Sequence, residues 1–351
     1  MNTLNTKLIT VGDFRALLAK APDELYVVSG DESLLSRLPK GNWIGGTIAY
    51  LMTDETGGLT TRDELLVQQL PITGRRLTVR GAWTISVYDQ KSIARITEDA
   101  PANGYTFLMI PAFSDVHMVY GKEAPHFKNL FMHPIVGWIS GVHLDDLGKK
   151  KPKVFNGATG EVYEDKALAC HVPLPAGKKA ILDFVNIFER SESPDIRFET
   201  DGFTVTDCSI NGQKTNFASW LTQNKVDTQL PMIADYDGAL INVSFQKVDT
   251  EAGKVVLYAP VFKDTTYRMA MPVPNYVAAF KSATSGMSSD IPFACNCVLN
   301  YTYGKLEGAK AGLPGPCTFG EIAFQLLNQT MVYLVVVDVR KGIAERMATA
   351  H

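Results

Sequence analysis

The fold is decided by residues 291–337, which read IPFACNCVLNYTYGKLEGAKAGLPGPCTFGEIAFQLLNQTMVYLVVV. Two apolar runs rich in β-branched and aromatic residues, 293–303 and 330–337, predict strands at either end of this stretch. The middle is rich in turn-forming glycines, namely Gly304, Gly308, Gly312, Gly315 and Gly320. Because glycine lets the backbone approach other atoms closely, we expect this middle to form the lip of a pocket.

Glu321 is the acid in this stretch that stands among apolar neighbours, in CTFGEIAF. Burial would raise the pKa of its carboxyl group if nothing paired it. Such a group receives a cationic or amide group of a ligand, or acts as a general acid or base. The structural alternative is a carboxylate that holds the glycine turn by accepting backbone N–H groups. The amides Asn328 and Gln329 either bind a ligand or cap the next turn.

Composition narrows the class of partner. The chain has 351 residues, with 34 basic against 37 acidic side chains and a net charge of -3. No basic stripe is present, and a nucleic-acid or anionic-membrane partner normally requires one. We therefore expect a small molecule or a protein as partner, with no nucleic acid and no membrane.

The cellular location follows from two further features. No segment approaches the roughly 20 apolar residues that span a bilayer, and the first residues lack the apolar core of a secretory signal. Five cysteines form an odd set in a chain with ample core, which argues against a disulfide scaffold. The sequence predicts a cytoplasmic protein.

Many short strands and few helices predict an α+β fold, with helices packed outside mostly antiparallel or mixed sheets in two sheet-rich halves. The polar, proline-ended RSESP at 190–194 is the predicted boundary, which gives domains 1–194 and 195–351. Before it, the runs 153–156, 167–173 and 179–189 suggest an antiparallel meander. After it, Asn211-Gly212 predicts a hairpin and Asn216 predicts the N-cap of a helix that starts at 217–221. The sequence also predicts a strand over 42–52, a short helix over 124–132 and a frayed helix or tail over 339–350.

Five of the six histidines fall between His117 and His171, so a haem or metal site is one alternative. Their spacings match no established ligand pattern. The simpler interpretation is that these histidines are scattered through the core and the surface. We therefore predict no cofactor, with haem as the alternative.

The thiols Cys295 and Cys297 point the same way if they lie on one strand. Together with Cys317 they suit a soft metal, a redox pair or a nucleophile assisted by Glu321, while core packing is the structural alternative. No Gly-x-Ser-x-Gly, Walker or dinucleotide motif is present, which disfavours the common hydrolase, nucleotide-binding and dehydrogenase classes.

The closing pieces FACNC, GPCTFGEI and NQTMVYLVV resemble the final part of the FIST sensory domain. In that family a strand with a buried cysteine precedes a glycine-aromatic turn ending in Gly-Glu-Ile and an Asn-x-Thr strand. The resemblance extends over residues 24–338, and the earlier pieces NWIGGT and IVGWISG fall in the family's order. The matching positions are Cys295, Gly320, Glu321, Asn328 and Thr330. The chain departs from the pattern at 297–299, where the family often has arginine-glycine.

The resemblance implies a cytoplasmic module that binds a small ligand and signals, with amino acids as candidate ligands and haem in some members. No output domain is evident in the sequence, so the signal is expected to pass to a separate protein. The hypothesis is a small-molecule sensor without catalysis, its pocket lying between the two halves. The predicted ligand-binding residues are Trp43, Gly45, Gly46, Thr47, Cys295, Asn296, Tyr303, Thr318, Phe319, Gly320, Glu321 and Asn328.

Overall fold

A computed structural model describes residues 6–71, 83–236, 239–287 and 291–339. The α-helices in this part are Val11–Lys20 (α1), Glu32–Leu35 (α2), Asp115–Glu123 (α3), Phe217–Gln223 (α4), Tyr276–Ala283 (α5) and Val298–Tyr303 (α6). Short 3-10 helices occupy Ile93–Thr97, Ala124–His126, Leu130–Met132 and Leu144–Asp146. Within these ranges every helix is too short or too polar to cross a bilayer.

The strands of the first part of the chain are Thr6–Ile9 (β1), Leu25–Gly30 (β2), Trp43–Thr47 (β3), Tyr50–Thr53 (β4), Gly57–Thr60 (β5), Leu65–Leu70 (β6), Thr84–Tyr88 (β7), Gly104–Pro111 (β8), Ile135–Ser140 (β9), Val154–Asn156 (β10), Glu161–Tyr163 (β11), Ala167–Pro173 (β12) and Lys178–Val185 (β13). Those of the second part are Ile196–Arg197 (β14), Gly202–Val205 (β15), Asp207–Ile210 (β16), Gln213–Asn216 (β17), Met232–Tyr236 (β18), Ala239–Val243 (β19), Phe245–Asp249 (β20), Lys254–Val261 (β21), Thr266–Met269 (β22), Phe293–Cys297 (β23), Gly315–Thr318 (β24), Glu321–Ala323 (β25), Gln325–Leu327 (β26) and Met331–Asp338 (β27). The predicted α+β class, with mostly antiparallel and mixed sheets, is confirmed.

The described strands form five sheets. Three of them run β1-β6-β2-β3-β10-β11, β26-β25-β9-β8-β12-β7 and β13-β27-β23-β24-β4-β5. The other two run β17-β16-β14-β22-β18-β19 and β15-β21-β20. Parallel pairing occurs between β2 and β3, β8 and β9, and β23 and β24, and the remaining pairs are antiparallel.

The sheets differ in which part of the chain supplies them. The last two contain only strands between residues 196 and 269, whereas two of the first three combine strands from before residue 186 with strands from after residue 292. For example, β13 pairs with β27 along its whole length. The division into domains 1–194 and 195–351 stays a prediction, and the sheet pairing crosses it at several places.

Local sequence features explain the helix starts and the hairpin. Thr10 and Asp13 form a capping box at α1, in which each side chain accepts from the other's backbone N–H. The Asn216 side chain caps α4 by accepting the N–H of Ser219 at 3.0 Å. Asn211 and Gly212 have φ of 47° and 87°, so they form the predicted hairpin turn between β16 and β17.

Several predicted elements are wrong in type or pairing. The run 293–303 is a strand only to Cys297, after which α6 begins, and 124–132 holds two 3-10 turns. The segment 42–52 forms two strands, β3 and β4, that belong to different sheets. The expected meander does not form, because β10, β12 and β13 also lie in three different sheets. The final predicted helix at 339–350 lies, apart from its first residue, outside the described residues.

The main apolar core is contributed by both ends of the chain. Phe107 of β8 and Phe293 of β23 meet edge to face with ring centroids 4.7 Å apart, and Trp138 of β9 is fully buried. A second, smaller core lies under α1, where Phe14 packs against Tyr26 and other buried side chains. The β25 to β27 region is therefore held inside the largest core, which fixes the position of Glu321.

Candidate functional site

The first group of predicted binding residues is packed against other protein atoms. Trp43 is buried in the smaller core and donates its indole N–H to the carbonyl of Pro39 at 2.8 Å. The Thr47 hydroxyl oxygen accepts the N–H of Lys153 at 2.9 Å. Thr47 borders a cavity of only about 10 Å³, which is room for one water molecule.

The two glycines among the predicted binding residues of β3, Gly45 and Gly46, are closely packed. A Cβ on Gly46 would lie 2.5 Å from the Trp138 ring, and one on Gly45 would lie 3.0 Å from the carbonyl oxygen of Val28. These glycines therefore serve close packing between strands. The space that the missing side chains leave is occupied by the Trp138 ring beside Gly46 and by Val28, Trp43 and Leu35 beside Gly45.

The second group surrounds the end of β23. Cys295 and Asn296 are buried, and the Asn296 side-chain oxygen accepts the Cys297 N–H at 2.8 Å and an N–H of Asn300 at 3.0 Å. Its amide nitrogen has no partner among the described residues. Tyr303 lies apart from them, on the wall of a cavity of about 370 Å³ that Tyr276 also lines.

The third group lies on β24, β25 and the turn between them. Thr318, Gly320 and Glu321 are next to one another, while the Phe319 ring points towards Phe113. Asn328 is fully buried and donates to the adjacent carbonyl of Leu327 at 3.0 Å. The structure thus gathers part of the predicted set around Glu321 and leaves Trp43 and Tyr303 elsewhere. Which of these residues contact a ligand stays a prediction.

Glu321 is fully buried and is hydrogen-bonded by its neighbours. One carboxyl oxygen accepts the hydroxyl of Thr330 at 3.0 Å and its backbone N–H at 3.3 Å. The other oxygen lies 3.3 Å from the Thr318 hydroxyl. The side chain thus has a structural role, as in the alternative to ligand binding, but it ties β25 to the start of β27, and the backbone N–H that it accepts belongs to Thr330 and not to the glycine turn.

Burial raises the pKa of Glu321 to about 8, although its hydrogen bonds act in the opposite direction. The hydrogen-bond pattern agrees with a neutral acid. The Thr318 hydroxyl has one hydrogen, and two carbonyl oxygens, of Gly320 at 3.0 Å and Asn296 at 3.2 Å, are placed to accept it. The Thr318 oxygen is then an acceptor for the proton of Glu321.

The three nearby thiols are also neutral. Burial raises the pKa of Cys295, Cys297 and Cys317, and the nearby Glu321 carboxyl raises each of them further. All five cysteines are buried and free. An activated nucleophile needs a lowered thiol pKa and access to solvent, and these thiols have neither. Their environment is that of packed core residues.

The histidines are dispersed. His117 of α3 and His171 of β12 are buried, and burial lowers the pKa of each to about 4. His126 lies at the surface, and His143 stacks on Tyr50. Within the described ranges, no three His, Cys, Asp or Glu side chains are grouped so that they could hold a metal ion.

An open cleft of about 760 Å³ is lined in part by the β25–β26 hairpin, of which Glu321 is the first residue but not a lining residue. Its walls come from the segment after α3, from β13, from β19, from the loop after β21 and from the hairpin itself. It therefore lies where the sheets of residues 196–269 meet the rest of the protein. Its volume is in the range of small-molecule sites, which favour such junctions.

Aromatic side chains form the apolar part of the cleft. Phe184, Phe262 and Phe324 line it, and Phe131 does so while remaining 72% exposed. Phe131 and Phe324 are in contact, with ring centroids 5.4 Å apart. An aromatic pair beside a cavity of this size, with Phe131 exposed and Phe324 half-buried, suits an apolar part of a ligand.

Phe324 adopts a left-handed backbone conformation, with φ of 63°. Its N–H donates to the carbonyl of Ile135 at 2.8 Å, and its carbonyl accepts the hydroxyl of Tyr120 at 2.8 Å. These two bonds hold a bulky residue in a conformation that costs about 1–2 kcal/mol. Strain of this kind is concentrated at functional sites, where the surrounding structure maintains it.

The charged groups on the cleft are mainly acidic. Asp183, Asp201 and Asp264 border it together with Lys263, and all four are exposed. Asp183 accepts the Tyr333 hydroxyl at 3.0 Å, and Asp201 accepts the Lys263 backbone N–H at 2.7 Å. The excess of carboxylates favours a ligand that carries positive charge.

Sequence reasoning missed the cleft residues. Phe324 and Gln325 stand three and four residues after Glu321, yet the turn at Phe324 has none of the usual turn residues. The other walls come from segments far apart in the chain. The pairing of the strands, rather than any motif, brings them together.

Comparisons with known proteins identify the family of this chain and assign no activity to it. A search among curated proteins finds no match. A family model described as a family of unknown function, DUF6976, matches residues 11–337. This match includes Glu321 with its partners Thr318 and Thr330 and every residue that lines the cleft, and the chain belongs to the DUF6976 family.

Proposed function

We propose that this protein is a ligand-binding sensory module that takes up a small molecule in the cleft beside Phe324. The observation that carries the proposal is a cavity of about 760 Å³ with an aromatic floor and a carboxylate-rich rim. An amino acid or another amine fits this chemistry, because its ammonium group pairs with carboxylates while its side chain packs on the rings.

The hairpin of β25 and β26 provides a route by which binding affects the interior. Its tip, Phe324, touches the cleft, and its first residue, Glu321, is bonded to Thr330 at the start of β27. A ligand that contacts Phe324 therefore acts on the β25–β26 hairpin, which is hydrogen-bonded to the start of β27 and so to the sheet that contains β27. We also propose that a separate protein binds to the changed conformation and transmits the signal. This step follows from the resemblance to the FIST sensory domain.

The proposed location is the cytoplasm. The five free, buried thiols support it, since an oxidising compartment favours disulfides.

Thermal shift with the standard amino acids and with aliphatic and aromatic amines tests the proposal. At about 100 times its Kd, a ligand stabilises the folded state by about 2.7 kcal/mol, which raises the melting temperature measurably. We expect a hit on the wild type to disappear in Phe324→Ala.

Phe113→Ala is the matched control, because Phe113 is also an aromatic residue with φ of 63° but does not line this cleft. The hit should persist in this control. A compound set that stabilises nothing, or a shift of equal size in Phe324→Ala, would contradict binding in the cleft.

A further inference from the structure

The edge strands of three sheets contribute residues to the cleft beside Phe324. Among the described residues, β13, β26 and β19 are each the terminal strand of a different sheet. Leu182, Gln325 and Ile241 on these strands all line the cleft. A terminal strand has a strand partner on one side only, so its outer backbone groups are available to an added strand.

We infer that the cleft takes a short, extended, basic peptide, which adds to these strand edges. This inference rests on the proposed ligand binding in the cleft and specifies the class of ligand. Main-chain hydrogen bonds to an edge provide affinity, and alternate side chains provide specificity. A single amino acid cannot form such a ladder along a strand.

The edges are shielded at one end. The Phe184 N–H on β13 donates to the side chain of Asp183 at 2.8 Å, and the Asn186 amide donates to the carbonyl of Leu240 on β19 at 3.2 Å. Natural proteins protect terminal strands against unwanted pairing with such side chains. The shielding near residues 184–186 restricts an added strand to the part of the cleft nearer Leu182 and Gln325.

The side chains around the cleft define the peptide. In an extended chain, successive side chains point to opposite faces. One row of a peptide that alternates apolar and basic residues packs on Phe184 and Phe324, and the other reaches the carboxylates of Asp183 and Asp264. The exposed Lys263 disfavours a second basic residue beside it and gives the peptide a preferred direction.

A fluorescence-anisotropy assay with labelled hexapeptide pools tests the inference on the full chain. In one pool lysine or arginine alternates with valine, leucine or phenylalanine, and in the matched pool glutamate replaces the basic residues. We expect the basic pool to bind at least about fivefold more tightly than the acidic pool, as expected for rim charges. Equal binding of both pools, or no binding of either, would overturn the inference.

Backbone methylation separates strand addition from side-chain binding. The tightest basic peptide is made again in two forms, in which one or the other alternate set of backbone amides is N-methylated, because alternate N–H groups of a strand point to opposite edges. In one of the two forms the donors to the edge are removed while the side chains are kept. Loss of one main-chain hydrogen bond weakens binding by about tenfold. Binding of both methylated peptides within twofold of the parent would show that no ladder forms.

Two variants locate the site. Asp264→Asn removes a rim charge and keeps a residue that tolerates the left-handed conformation of Asp264, whose φ is 65°. It should weaken the basic peptide by about fivefold. Asp63→Asn removes the same charge from an exposed loop away from the cleft and should leave binding unchanged. Equal loss in both variants would indicate a non-specific charge effect and overturn the site.

The other candidate occupants give different results. If amino acids or amines bind and no peptide pool does, the proposed function stands and the peptide class is wrong. If β13 paired antiparallel with β13 of a second copy, centred on Ile181, Lys179 of one copy would lie opposite Asp183 of the other. If sedimentation shows a dimer, and Asp183→Lys dissociates it, the edge of β13 is occupied by a second copy of the chain. That result would overturn peptide binding.

Discussion

The Thr330 hydroxyl donates a hydrogen bond of 3.0 Å to the carboxyl group of Glu321, and both side chains are fully buried. This contact joins the end of the Gly-Glu-Ile turn to the start of β27, the strand that β13 and β23 flank. A carboxyl group at such a position is structural unless something changes its protonation. Its titration is therefore a direct measure of its role.

The pKa of Glu321 predicts that stability falls as the pH rises. Its folded-state pKa of about 8 lies above the ordinary value of 4.5, so its contribution is fully present below pH 4.5 and is lost as the pH rises through 8. The slope is at most about 1.4 kcal/mol per pH unit. Chemical denaturation between pH 5 and 8 measures it.

Glu321→Gln should remove this slope, because the amide keeps an acceptor for Thr330 and carries no proton that titrates. At pH 8 we expect this variant to match or exceed the wild type in stability. Glu321→Ala, which leaves the Thr330 donors unpaired, should lose about 2–4 kcal/mol. An unchanged slope in Glu321→Gln would mean that Glu321 is ionised in the folded protein.

The buried histidines predict a loss of stability at the acid side. Burial lowers the pKa of His117 and His171 to about 4, below the ordinary 6.5, so the stability that depends on their neutral form is present above pH 6.5 and falls as the pH drops through 4. Each imidazole contributes a slope of at most about 1.4 kcal/mol per pH unit. Denaturation midpoints at pH 4 to 7 measure this loss.

His117→Gln keeps an acceptor for the Phe113 N–H, which donates to the His117 ring at 3.2 Å, and cannot take up a proton. We expect this variant to show about half of the combined histidine slope, with His171 responsible for the rest. His171 accepts or donates to Thr106 and Tyr88, each at 2.9 Å, so its protonation also breaks a buried network. The same acid slope in wild type and variant would refute the assignment to His117.

Packing at Gly46, one of the predicted ligand-binding residues, gives a prediction about stability. Gly46→Ala places a methyl group 2.5 Å from the Trp138 ring, a large and fully buried side chain that cannot move aside. We expect a loss of about 1–3 kcal/mol in the free energy of unfolding. Gly12→Ala in α1 is the control, since its new methyl group meets no atom closer than 3.6 Å. A neutral Gly46→Ala would mean that the space is open.

The sequence predicted features that depend on a few adjacent residues. The capping side chain Asn216 and the turn residues Asn211 and Gly212 act locally, so their patterns were sufficient. The run 293–303 was misread because β-branched and aromatic residues fill both β23 and α6, and the change from strand to helix at Cys297 depends on the surrounding sheet. Tertiary packing commonly overrides such propensities.

The candidate site was predictable only in part. Glu321 and its buried surroundings followed from the apolar residues around it, and the structure places it with Thr318 and Thr330. The cleft could not be predicted from the sequence, because its position depends on which strands lie at the edges of the sheets. Those ends are set by pairings such as β13 with β27, between residues about 150 apart in the chain.

Phe324 provides the last prediction, which separates strain from binding. In its left-handed conformation, glycine is tolerated without a steric cost, whereas alanine keeps the Cβ clash. Phe324→Gly should therefore be more stable than Phe324→Ala by about 1 kcal/mol, although both lose the contact with Phe131. Thermal and chemical denaturation of the two variants measure the difference. Both should lose ligand binding equally, because each lacks the ring, and a Phe324→Gly variant that is no more stable than Phe324→Ala would show that the turn is unstrained.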